Sequence, residues 1–99
     1  MNVLEKNIAF VKKLCKKYKV EKLYVFGSVL TNHFTQKSDI DLLVRFGKMR
    51  QYDYADNYFD FKFALEDSFG RNVDLLEDKA IKNPYLRQSI DESKTLIYG

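Results

Sequence analysis

The 99-residue sequence contains a single cysteine, a single proline and four glycines. One cysteine, Cys15, cannot form an internal disulfide, so the fold needs no oxidising compartment. So little proline and glycine leaves no room for a Pro/Gly-rich linker, and the chain has no internal repeat or low-complexity tract. No apolar run approaches the roughly 18 residues of a membrane span. The N-terminus alternates lysine with apolar residues and lacks the continuous apolar core of a signal peptide. A soluble protein of the cytoplasm, without a membrane anchor, is the expectation. Charge of one sign is not in large excess either: 17 Lys and Arg stand against 14 Asp and Glu, a net +3.

What is present is the composition of a folded protein, 45% apolar and 15% aromatic. Disordered chains carry fewer of both. The length predicts one domain over residues 1–99, burying a little over ~60% of its unfolded surface. The charge is unevenly placed. Residues 1–24 hold seven lysines and two glutamates, a net +5, and the other 75 residues hold 10 basic and 12 acidic side chains, a net −2. The basic character therefore belongs to one segment.

Leu4, Ile8, Val11, Cys15 and Tyr18 recur at helical spacing, with Lys12, Lys13, Lys16 and Lys17 flanking or opposing that stripe. Leu23 to Phe26 reads as a buried strand ended by Gly27-Ser28. Val29 to Phe34 has the character of a helical turn. Asp39 to Phe46 reads as a second strand, with Ile40, Leu42 and Val44 on one side and Asp39, Asp41 and Leu43 on the other. A long helix follows, with Asp53 as N-cap and Gly70 as its stop. Phe59 and Phe63 make it apolar on more than one side, as in a helix sandwiched in the fold or one meeting a partner. Asn72 to Leu76 is a third strand. Asn83-Pro84 opens a short helix, from which Tyr85, Leu86 and Ile90 are expected to face inward. Leu96 to Tyr98 is extended. This order gives an α/β or α+β fold, a small mixed sheet flanked by helices.

Three features stand together. Gly27-Ser28 follows a strand, Asp39 and Asp41 sit at i and i+2 at the head of the next, and Asp74 lies in the third. The i, i+2 spacing puts Asp39 and Asp41 on one sheet face, roughly 6.5–7 Å apart at the backbone. A third carboxylate from an adjacent strand completes a cluster that repels itself unless a cation relieves it. Carboxylates, water and substrate phosphates are the usual ligands of Mg2+. Two such ions stabilise the attacking and leaving oxygens of an in-line phosphoryl transfer. Gly27 lets backbone approach a phosphate, and amides at a helix start with the Ser28 hydroxyl suit a triphosphate. Each piece alone has an ordinary explanation: a turn, a solvated Asp-x-Asp, an outward strand residue. Their conjunction is what carries information.

Phe26-Gly27-Ser28, followed by Ser38-Asp39-Ile40-Asp41-Leu42-Leu43-Val44, resembles the signature of the polymerase-beta-like nucleotidyltransferase superfamily. The length, Val73-Asp74-Leu75-Leu76 and the ending from Tyr85 to Tyr98 are similar to its minimal nucleotidyltransferases. The resemblance spans roughly Lys22 to Tyr98. It implies that Gly27 and Ser28 bind the nucleotide triphosphate and that Asp39 and Asp41 bind two Mg2+ ions. Asp74 would help bind the catalytic metal and activate the attacking hydroxyl. It further implies a two-gene toxin–antitoxin module, in which the enzyme moves AMP from ATP to a tyrosine of an all-helical HEPN partner. One departure is present. Minimal members often follow the serine with a small residue and Ala-Arg-Gly, whereas this chain reads Val29-Leu30-Thr31-Asn32-His33. The positive charge near the triphosphate is then either absent or left to Lys37, Arg45 or the partner.

Three functions follow from these readings. The first is a Mg-dependent nucleotidyltransferase acting on a hydroxyl of a partner protein, as the antitoxin of a HEPN/MNT module. The second is an antitoxin that neutralises its helical partner by contact alone, docking through the helix from Tyr54 to Phe69. The third is nucleic-acid binding through the basic first helix, against which the acidic cluster argues. His33 reads as a solvated loop residue, Cys15 as packing and Arg71 as unassigned surface. Tyr52, Tyr54 and Tyr58 read as packing more than as adenine stackers. An oligomer is compatible with all of this.

Overall fold

The computed structural model describes residues 2–27, 35 and 38–99. Its elements are α1 (Asn2–Lys17), β1 (Val20–Phe26), β2 (Ile40–Phe46), α2 (Gln51–Phe69), β3 (Val73–Glu77), a 3-10 turn (Asp78–Ala80), α3 (Pro84–Ser93) and β4 (Thr95–Tyr98). The four strands form one mixed sheet in the order β3-β2-β1-β4. β1 is antiparallel to both neighbours, and β2 runs parallel to β3. The parallel pair follows from connectivity, because α2 carries the chain back across the sheet between the two strands. Among the described residues no helix is long and apolar enough to cross a membrane.

The apolar periods explain the layers. Leu4, Val11, Leu14 and Cys15 of α1, with Phe61, Leu65 and Phe69 of α2, are buried against Leu23, Val25, Ile40, Leu42, Val44, Val73 and Leu75 of the sheet. Both long helices thus share one face. They run antiparallel: Asn57 Nδ2 donates to Tyr18 O at 2.7 Å, and Ser68 Oγ to Asn7 Oδ1 at 3.3 Å. The rings of Tyr18 and Phe46 pack against buried Phe61 at centroid distances of 5.9 and 5.8 Å. Leu43 is buried on the opposite face, as the alternation of β2 requires. There α3 contributes buried Ile90, and Lys94 at its end stands 4.6 Å over the Tyr24 ring.

Three local expectations change. α2 begins three residues early, with Arg50 at the N-cap and no side-chain cap bond. Asp53 instead lies inside the first turn, where it accepts from Arg50 Nε at 2.9 Å and faces the positive helix end. Gly70 does stop the helix, at φ 66. On α3, Tyr85 and Leu86 are exposed and only Ile90 is buried, because this helix lays a single residue of its apolar face onto the sheet. Phe59 and Phe63 are both about half exposed and stack on each other at 6.1 Å, so α2 is not sandwiched. The turn expected over Val29 to Phe34 lies outside the described residues.

Candidate active site

The register of β2 and β3 assembles the acids. Asp41 and Asp74 are paired positions on neighbouring parallel strands. Adjacent strands lie about 4.8 Å apart, so the two side chains rise from one face side by side. Asp39 stands one residue before β2, and the Ile40 amide is tied to Asn72 O at 3.1 Å. That bond fixes the heads of the two strands together. Asp39 and Asp74 are exposed and Asp41 is half-buried.

Electrostatics marks the centre of the group. Burial pushes the Asp41 carboxyl above its ordinary range, and the neighbouring charges of Asp74 and Asp39 push it further. None of the three acids makes an ion pair with a described cation. Among the described residues no three such side chains already close on a single point as a metal cage. The donor set fits a hard cation in its chemistry: carboxylate oxygens, mutually repelling and paired with no described cation.

Gly27 stands against this group. Its φ is 78, in the left-handed region, and a Cβ placed on it would overlap Asp41 Oδ2. Only glycine lets the chain leaving β1 pass this close to the Asp41 carboxylate. Ser28, expected beside Gly27 as a phosphate ligand, lies outside the described residues, as do His33 and Lys37.

Arg45, one of the expected sources of positive charge, stands away from the acids. It is four residues past Asp41, roughly 13 Å along the strand, and its Nε pairs with Glu21 at 3.3 Å. A cavity of about 370 Å3, lined by Arg45, Lys48, Tyr54, Glu77 and Lys79, lies at that far end of β2 and β3 and is separate from the acids.

Arg71, unassigned from sequence, has a definite place. Its Nη1 donates to Thr35 O at 3.0 Å and Ser38 O at 3.2 Å, the latter just ahead of Asp39. Its position just before a strand parallel to β2 is the signal, but only once that pairing is known. Tyr54 and Tyr58 are half-buried on α2. Their hydroxyls donate to Glu77 Oε2 and Leu75 O, each at 2.5 Å. Burial and the Glu77 carboxylate hold both phenols above their ordinary range, so they remain protonated donors.

Residues 8–97 match the model of the nucleotidyltransferase domain. The chain belongs to this family. A Methanocaldococcus jannaschii protein named as a candidate protein adenylyltransferase is 46% identical over 88 residues, covering 88% of this chain and 85% of the relative. A solved structure of a candidate minimal nucleotidyltransferase superposes with a TM-score of 0.78 at 29% identity, covering 95% of this chain and 92% of that one. An MNT antitoxin bound to the tri-AMPylated HEPN toxin of Shewanella oneidensis has the same fold, with a TM-score of 0.66 at 19% identity over 96% of this chain and 71% of that one. In this nucleotidyltransferase Asp39, Asp41 and Asp74 come together at the paired heads of β2 and β3, with Gly27 beside them at the end of β1.

Proposed function

We propose that this nucleotidyltransferase transfers AMP from ATP to a hydroxyl of a partner protein, as the antitoxin of a HEPN/MNT module, from a single domain over residues 1–99. The register pair Asp41–Asp74, with Asp39 one step before, carries the reading. Gly27 and Ser28 hold the triphosphate. The acceptor oxygen bonds to the α-phosphorus, the bond from that phosphorus to the α–β bridging oxygen breaks, and pyrophosphate leaves with the electron pair. The hydroxyl proton passes to the Asp74 carboxylate, whose exposed position admits an acceptor from another chain. Asp39, Asp41 and Asp74 would hold Mg2+, two ions in this reading, which when bound offsets the charge of the phosphates and lowers the pKa of the hydroxyl. The name of the M. jannaschii relative and the partner of the S. oneidensis antitoxin support the acceptor class.

The test is incubation with ATP labelled at the α-phosphate, Mg2+ and the product of the adjacent reading frame. Label is expected on that product, falling at least a hundredfold in Asp39→Ala/Asp41→Ala. The second reading, neutralisation by contact, draws on the exposed Phe59–Phe63 stack. Undiminished neutralisation by the double variant would replace the catalytic reading with that one.

A further inference from the structure

β3 is an edge strand, and its outer backbone groups need cover. Asn72 O bonds to Ile40 of β2, so by alternation residues 73, 75 and 77 turn their backbone groups away from β2. α2 answers them. Glu66 Oε2 accepts from the Val73 amide at 2.9 Å, and the Tyr58 hydroxyl donates to Leu75 O. Tyr54 reaches the Glu77 side chain. Tyr54, Tyr58 and Glu66 are spaced by four and eight, one face of a helix, while 73, 75 and 77 share one strand edge. The helix thus tacks down the open edge in reverse order.

The two backbone bonds fall on the residues immediately before and after Asp74. Its own backbone faces β2 within the ladder, while its exposed side chain makes no hydrogen bond or ion pair with any described residue and is repelled by Asp41. The backbone is therefore what holds this carboxylate in place. We propose that Glu66 and Tyr58 are positioning residues, clamping β3 on both sides of Asp74 so that its carboxylate stays beside Asp41 for cation binding. This rests on the reading of the acids as a cation site.

The test is Mn2+ affinity of the full chain, read from the EPR signal of the free ion, with amide hydrogen exchange at Val73. Glu66→Ala is expected to weaken Mn2+ binding about tenfold, the range seen when the support of a ligand is removed. It should also expose the Val73 amide. Glu66→Gln keeps an acceptor oxygen and is expected to restore both, while Tyr58→Phe should also weaken binding, by about tenfold at most. Asn83→Ala, which loosens α3 on the other face, is the control for general destabilisation and should leave Mn2+ affinity unchanged. Wild-type affinity in both Glu66→Ala and Tyr58→Phe, or equal losses in the control, overturns the clamp alone. Wild-type protein that binds no Mn2+, or Asp74→Asn that binds it as tightly, overturns the cation-site reading and the positioning role with it.

Discussion

At the scale of single residues, the decisive contact is between a glycine and a carboxylate. Gly27 packs where a side chain would collide with Asp41, so the end of β1 and the acid group are built as one unit. Asp41 is also where stability is given up. Its carboxyl holds a proton more tightly in the folded chain than its ordinary value allows, because of burial and then Asp74 and Asp39. Native protein therefore binds more protons there than unfolded protein, and stability falls as pH rises from that ordinary value through the raised one. Asp41→Asn should raise Tm at pH 7 by about 2 °C, since partly screened repulsions are worth a few tenths of a kcal/mol. The gain should vanish in acid, where the wild-type carboxyl is already protonated, and catalysis should be lost throughout. Thermal unfolding followed across pH checks the sign.

At the scale of elements, helix ends and strand edges do the local work. Asn83 Oδ1 accepts from the amides of Tyr85 at 2.9 Å and Leu86 at 3.2 Å, with Pro84 opening the helix behind it. This cap was legible from Asn-Pro alone, because it depends on adjacent residues only. Asn83→Ala should cost about 1 kcal/mol, lowering Tm by about 4–8 °C in a domain of this size. The burial of α3 was not legible. Arg87 bonds Asp78 Oδ1 at 2.7 Å and turns the helix so that Tyr85 and Leu86 reach solvent. That ion pair joins α3 to the 3-10 turn that follows β3, a placement that the helical period of α3 does not encode. The start of α2 was misplaced for a related reason. Asp53 suits both an N-cap and a first-turn position, and Arg50 beside it decides for the latter.

At the scale of the whole molecule, the main core lies under the two long helices. Two helices on one face of a four-stranded sheet bury the long stripes, and Cys15 lies wholly inside. Burial pushes its thiol up to about 12. At pH 8 the native protein should therefore react with a thiol reagent only as fast as it unfolds, whereas denatured protein should react at once. Reaction progress with and without denaturant measures this. Agreement of the native rate with the unfolding rate identifies Cys15 as a reporter of the whole core.

The residues of the acid group, their spacing and the periods of α1, β2 and α2 were determined by the sequence itself. Each is a local property: alternation along one strand, recurrence along one helix, glycine after a strand. The tertiary structure decided what stands opposite what. Parallel pairing of β2 with β3 put Asp74 level with Asp41 and brought Arg71 to Thr35 and Ser38, while antiparallel pairing of β2 with β1 set Arg45 beside Glu21. It also left β3 at the edge, where Glu66 and Tyr58 hold it from α2. Strand register and edge position are set by packing between residues distant in the chain, so no single stretch of sequence contains them.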